Sequence, residues 1–386
     1  MHISALRERL RGLGALPVHE DRVLRRWATA QPQEGGRKQL QHFLPLALRH
    51  ELPQIVDALQ RLALVHSQHP AADGSMRLLV NLQDGQQVET VLLQPDRPNR
   101  RSQRHTPALP ASGEPAKTPT SGGPAKTPTS GRAAKTPTSG VCVSTQVGCA
   151  VGCVFCMTGT GGLVRQLGSA EIVAQVVLAR ALRPINKVVF MGMGEPAHNL
   201  DAVLEAIELL GTGGGIAHKN LVFSTVGDAR VFERLPLQRV KPALALSLHT
   251  TFADKRLELL PRAPRFDPEE LVAAGEIYAR ATGHPIQYQW TLIAGVNDGE
   301  DEVEGIARLL AGKHAMMNLI PYNSVEGMPW QRPSSERAAE MAATLHRRGV
   351  LTKLRQSAGQ DVDAGCGQLR ARAEAPARRR IAIQAA

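Results

Sequence analysis

Three cysteines, Cys149, Cys153 and Cys156, lie in the stretch VSTQVGCAVGCVFCMTG at a C-x3-C-x2-C spacing, with no fourth thiol in register. Four of the chain's five cysteines fall between residues 142 and 156, where a disulfide framework would be badly strained, so the spacing points to metal ligation. Structural zinc asks for four ligands, usually as two separated pairs, and no second C-x2-C occurs. An iron-sulfur cube fits differently. Three thiolates hold three of its irons and leave the fourth open to an external ligand. The expected metal ligands are therefore Cys149, Cys153 and Cys156.

Two cysteines remain. Cys142 lies seven residues before the triad, and Cys366 sits between Gly365 and Gly367 in GQDVDAGCGQLRAR. A free cysteine is most often a small buried hydrophobe. The two glycines argue otherwise for Cys366, because they give the loop freedom of approach. Further polar groups close apolar runs along the second half of the chain. Gly194 and Glu195 follow VVFMGM, Ser224 ends NLVFS, Ser247, Leu248 and His249 end ALALSLH, and Asn323 ends NLIPYN. A single such group is commonly structural, but several in register at strand ends form a candidate binding rim.

The elements that must position these groups follow from periodicity. Residues 1–72 carry helix-spaced apolar residues and are expected to form a small helical N-terminal domain. Residues 73–95 read as a β-hairpin turning at Asp84-Gly85. AKTPTSG then occurs three times, at 116–122, 125–131 and 134–140, so 96–140 is expected to be a flexible basic insert. From 141 to 369, seven short apolar runs alternate with helical patterns. That is the signature of an α/β fold with a parallel sheet, here a full or partial (β/α) barrel whose chemistry gathers at strand ends. Residues 370–386 are a basic tail.

Taken in order, VETVLL, Cys142, QVGCAVGCVFCMTG, GMGEP, LSLH, NLIPYN and DVDAGCGQL resemble the RlmN and Cfr family of radical S-adenosylmethionine (SAM, AdoMet) RNA methyltransferases over roughly residues 75–370. The resemblance implies a partial (β/α) barrel of the radical SAM type, a [4Fe-4S] cluster on the three cysteines and AdoMet chelated to the open iron. It places AdoMet against Gly194, Glu195, Ser224, Ser247, Leu248, His249 and Asn323. The implied reaction is methylation at C2 of an adenosine in 23S ribosomal RNA, with transfer RNA a further substrate. This carbon is not nucleophilic, so polar methyl transfer cannot reach it. In the family one AdoMet methylates the cysteine matched by Cys366, and a second yields a radical that takes hydrogen from that S-methyl group. The methylene radical adds to the adenine, a base matched by Glu89 takes the ring proton, and a cysteine matched by Cys142 releases the product through a transient disulfide. Read alone, Glu89 is an exposed hairpin residue, and its role comes wholly from the resemblance. Alternatives are the same chemistry at C8 and, from another class, a non-catalytic zinc-thiolate RNA-binding protein. GLVRQL at 162–167, STVG at 224–227, Gln360 and Gly365 depart from commoner family residues, which bears on which RNA is accepted.

The formal charge of +11 is concentrated: eight Lys/Arg against two acids in 96–140, and five Arg against one Glu in 370–386. Such segments suit phosphate backbones. No run of 18 apolar residues occurs and the N-terminus carries charge throughout. The expectation is a cytoplasmic, monomeric protein that engages RNA and a reducing electron donor such as flavodoxin, and no membrane.

Overall fold

The computed structural model describes residues 1–34, 43–95, 138–325 and 327–371. The chain begins with helices α1 (Ile3–Gly12), α2 (Pro17–Ala28) and α3 (Leu46–Gln60), then strands β1 (Ala63–Pro70), β2 (Met76–Leu82) and β3 (Gln87–Leu92). Next come β4 (Ser139–Cys142), β5 (Gln146–Gly148) and β6 (Leu163–Gln166). Alternation follows: α4 (Ser169–Leu182), β7 (Ile185–Phe190), α5 (Leu200–Gly211), β8 (Leu221–Thr225), α6 (Ala229–Arg234) and β9 (Ala243–Ser247). It continues through α7 (Ala253–Leu259), α8 (Pro268–Thr282), β10 (Ile286–Leu292), α9 (Glu300–Leu310), β11 (Ala315–Pro321), α10 (Ser335–Arg347) and β12 (Thr352–Leu354).

Among the described residues ten strands form one sheet in the order β1-β2-β3-β4-β7-β8-β9-β10-β11-β12. From β4 to β12 every neighbouring pair is parallel, and β1 to β3 extend the sheet antiparallel. Among the described residues no pairing joins β12 to β1, so this is a partial barrel. The segment after β12 spans the gap to the turn between β1 and β2. There the Ala72 amide donates to Asp361 at 2.9 Å and the Gly359 amide to Asp73 at 3.1 Å.

Local chemistry explains the elements. The β7, β8 and β9 runs are apolar because helices cover one side and the barrel interior the other. Asp267 caps α8 through the Glu269 amide, and Gly283 ends it in the left-handed conformation. The inner wall carries Val189, Val222, Ala243 and Ala245, side chains too small to fill the interior, which leaves room for a cavity.

Two boundaries differ from the sequence reading. Residues 63–70 are a strand, not the end of a helical domain: α3 stops at Gln60, and β1 pairs with β2 from Ala63↔Leu82 to Pro70↔Met76. The hairpin's free edge offers N–H and C=O groups that the segment satisfies, and this outweighs local helix spacing. Ser139 and Gly140, placed in the repeat insert, open β4: the Ser139 amide donates to the Pro184 carbonyl and the Leu93 amide to that of Gly140. The rest of the repeats, apart from Thr138, and the tail from 372 lie outside the described residues. The N-terminal helices pack on α4 and α5, and Ile3, Leu24 and Leu48 share one apolar core with Ile172 and Ile207.

Candidate active site

A cavity of about 450 Å³ opens along the barrel interior. Its lining includes all five cysteines, together with Gly194, Glu195, Ser224, Ser247 and His249. The cysteine loop leaves β5 and is fastened at several points. The Cys149 amide donates to the Gly162 carbonyl (2.9 Å), the Val154 amide to Leu259 (3.1 Å), and the Trp330 indole to the Val154 carbonyl (2.9 Å).

Burial dominates the electrostatics of the thiols. It pushes Cys149 up to about 12 and Cys153 well above the ordinary thiol range, with neighbouring cysteines and Glu195 adding to the rise. Cys156 is raised by burial, against hydrogen bonds from Thr158 and Gly159. Three thiols that resist ionising alone, on one wall of a cavity, suit a cationic group able to displace their protons. Among the described residues no three Cys, His, Asp or Glu side chains converge on a single ion. A cube needs no such convergence, since each thiolate meets a different iron. Three thiols on one short loop, lining one cavity, match three irons of a cube whose fourth takes an external ligand.

The strand ends line the same cavity. Gly194 has φ of +104°, and a Cβ there would sit 2.6 Å from that of Gln146, so only glycine fits this approach. Glu195 is buried, and its carboxylate accepts the Ala197 and Val226 amides, each at 3.0 Å. Burial still pushes its carboxyl up to about 7. His249 has a positive φ of 63°, rare outside glycine. Its carbonyl accepts from Asn297 (2.7 Å), its Nδ1 accepts the Thr291 amide (2.9 Å), and its ring meets Phe155 edge-on at 4.8 Å. Burial and the Arg256 charge hold the imidazole down to about 3. A neutral ring accepting at Nδ1 carries its proton on Nε2.

Leu248 and Asn323 occupy different settings from the other rim residues. The Leu248 side chain is buried in the core and its amide donates to the Gln289 carbonyl. Asn323 is buried and donates from Nδ2 to Ser357 Oγ and to the Cys366 carbonyl, both at 2.9 Å. Its Oδ1 has no partner among the described residues.

Cys366 arrives on a loop sewn to the cysteine loop. The Met157 amide donates to the Gly367 carbonyl (2.7 Å), and Thr158 Oγ1 to that of Leu369 (2.7 Å). Gly367 has φ of +87°, and a Cβ there would meet the Phe155 carbonyl oxygen at 2.8 Å. Cys366 is exposed where it lines the open cavity. Protein nevertheless surrounds the sulfur closely enough for burial to raise its thiol, while Arg355 and a hydrogen bond from Ser357 act the other way. Cys142, at the end of β4, is pushed up to about 12 by burial and by the neighbouring Cys366.

Glu89 is not the exposed hairpin residue that its sequence suggests. It is buried on β3, where Arg77 on β2 pairs with one carboxylate oxygen and the Arg370 amide donates to the other at 2.8 Å. Val91 pairs with Cys142 and both line the cavity, so Glu89, two residues earlier, shares their face. It does not itself line the cavity. Sequence reasoning also missed Gln287, Gln289 and Thr291 on β10 and Arg355 beyond β12, all of which line the cavity. The β10 signal was present as polar residues at every second position of IQYQWTL. Arg256 was missed too: it is buried and its guanidinium binds the Val226 and Ser247 carbonyls, tying the ends of β8 and β9 together.

The partial barrel with its three-cysteine loop defines the radical SAM class of enzymes, and comparison with known proteins agrees. The radical SAM superfamily matches residues 143–310. A "Probable RNA methyltransferase" of Leptothrix cholodnii is 61% identical over 384 residues, covering 100% of this chain and 98% of that protein. One of the same description from Stutzerimonas stutzeri is 59% identical, covering 97% of each. The crystal structure of a radical SAM methyltransferase from Sphaerobacter thermophilus aligns with a TM-score of 0.74 at 32% identity, over 96% of this chain and 98% of that one. The chain belongs to the radical SAM superfamily and, within it, to the methyltransferase family of these relatives. Among the described residues no helix is long and apolar enough to cross a membrane.

Proposed function

We propose that this protein methylates C2 of an adenosine in 23S ribosomal RNA, and in transfer RNA, through an S-methylated Cys366. The observation that carries this reading is the shared cavity: Cys142 and Cys366 face the space lined by Cys149, Cys153 and Cys156. The names of the relatives support RNA as substrate.

When bound, the cluster with AdoMet supplies one-electron chemistry able to activate an otherwise inert C–H bond; a reducing donor of the flavodoxin class supplies the electron. Cys149, Cys153 and Cys156 hold the cluster, and Gly194, Glu195, Ser224, Ser247, Leu248, His249 and Asn323 form the AdoMet rim. Glu195 serves the ammonium group and His249 offers its Nε2–H. Leu248 serves through its backbone, since its side chain is in the core. Asn323 acts from behind, because its amide holds the Cys366 carbonyl.

Cys366 carries the methyl group on a loop anchored to the cluster loop, so the carbon is held near the radical source. Glu89 accepts the adenine ring proton. Its carboxylate contacts the Cys366 loop through the Arg370 amide, and motion of that loop would uncover it. Cys142, once deprotonated, then attacks the sulfur of Cys366: the S–CH2 bond breaks, its electron pair goes to the carbon, which takes a proton to become the methyl group of the product, and a Cys142–Cys366 disulfide forms. The high thiol pKa of Cys142 keeps it protonated and unreactive until its proton is removed.

The test is incubation of the reconstituted enzyme with RNA from cells lacking the gene, followed by mass spectrometry of the nucleosides against both methyladenosine standards. 2-Methyladenosine is expected, and none with Cys366→Ala. The C8 isomer moves the target carbon, and normal methylation by Cys366→Ala refutes the mechanism. Colourless protein containing zinc and no iron would restore the binding-protein alternative.

A further inference from the structure

The edge strand β12 carries two cations on one face. Arg355, directly after the strand, lines the cavity, and Lys353, two residues earlier, shares its face. Both residues are exposed, and neither forms an ion pair among the described residues. The acids nearby are engaged elsewhere. Asp363 pairs with Arg370, Glu89 with Arg77, Asp361 accepts the Ala72 amide and Asp73 that of Gly359. β12 is the last strand of the sheet, so among the described residues its outer edge pairs with no other strand.

We propose that Lys353 and Arg355 form a phosphate-binding strip that seats the backbone of the target nucleotide beside Cys366. This rests on the reading of RNA as the substrate and goes beyond it by naming the residues that hold the strand. An enzyme acting on a nucleobase must draw that base out of its stack, and the phosphate attached to it must then be held at the mouth of the cavity. The guanidinium fork of Arg355 suits a phosphate bidentately, and its ammonium neighbour about 6–7 Å along the strand suits a second phosphate as a point charge. Arg355 and Cys366 line the same cavity, which places the phosphate near the methyl-bearing sulfur. The alternative is that Arg355 serves only the thiol. Lys353 distinguishes the two, because among the described residues no hydrogen bond or ion pair connects it to Cys366.

The experiment uses reconstituted holoenzyme and ribosomal and transfer RNA from cells lacking the gene. RNA kcat/KM is measured between about 50 and 200 mM salt, alongside S-methylation of Cys366 without RNA, read by mass spectrometry. For Lys353→Gln and for Arg355→Gln the loss is expected in KM, with the slope of log(kcat/KM) against log[salt] falling by about 0.7 per cation removed. Arg355→Lys is expected to keep the slope, which separates loss of charge from loss of fold. An unchanged slope and KM in Lys353→Gln overturns the strip. So does a defect in Arg355→Gln confined to S-methylation of Cys366. Wild-type enzyme that methylates Cys366 but no RNA overturns the substrate itself, and the strip with it.

Discussion

Removing Arg77 tests what holds Glu89 in place. The Arg77 side chain is 3% exposed and that of Glu89 1%, so their ion pair lies in the regime where a lone partner is costly. Arg77→Met leaves a buried carboxylate with the Arg370 amide and little else, and is expected to lower the unfolding free energy by about 3–5 kcal/mol. That is a large part of the 5–15 kcal/mol of an ordinary protein. Replacing both partners, as Arg77→Met with Glu89→Leu, removes the stranded charge. Its cost then includes the Arg370 amide left without its acceptor, about 1–3 kcal/mol. Urea unfolding of cluster-free protein at neutral pH should therefore rank wild type, then the double variant, then Arg77→Met. Methylation of RNA should be absent from the double variant despite its recovered stability, because the proposed base is gone. A double variant no more stable than Arg77→Met would refute the stranded-charge argument, and one that still methylates RNA would refute Glu89 as the base.

Other outcomes follow from the same site. His249 is held down to about 3 from an ordinary 6.5, so the unfolded chain takes a proton that the folded one refuses, and stability falls as pH drops from 6.5 toward 3. Glu195 is pushed up to about 7 from an ordinary 4.5, so its contribution is complete below 4.5 and lost as pH rises through 7. In cluster-free protein, His249→Asn should flatten the acid side of the stability profile and Glu195→Gln the neutral side; profiles parallel to wild type would contradict both assignments. Gly367→Ala places a Cβ 2.8 Å from the Phe155 carbonyl oxygen at a φ of +87°, costing about 1–3 kcal/mol and lifting the Cys366 loop. Mass spectrometry should then find less S-methylcysteine at 366 while bound iron is retained. Anaerobic reconstitution should load about four irons and four sulfides per chain. Cys153→Ala should lose them and Cys142→Ala keep them, and iron loss in both would put Cys142 among the ligands.

Much of the barrel was legible because parallel strands buried on both sides must be apolar nearly throughout. KVVFMGM, NLVFSTV and PALALSLH read as strands for that reason: β8 and β9 lie within the second and third, and β7, which begins at Ile185, overlaps the first over 187–190. β1 was not legible. Its residues alternate between facing the protein and facing solvent, and its partner β2 is the element that makes it a strand. Gln287, Gln289 and Thr291 were visible as an alternation, but the neighbouring strands decide that their face lines a cavity.

The proposed cluster ligands belong to the sequence alone. Cys149, Cys153 and Cys156 lie within eight residues, and a short loop can present three thiols to one cofactor whatever surrounds it. The other chemistry depended on distances that no local pattern encodes. Cys142 and Cys366 are more than two hundred residues apart and meet because β4 ends inside the barrel and the last loop is tied to Met157 and Thr158. Glu89 changed most. Its hairpin pattern describes an outer face, and only the arrival of Arg77 across the strands and Arg370 from the last segment turns that face into an interior. Spacing determines which side chains neighbours can share, whereas burial depends on the whole chain closing around a residue.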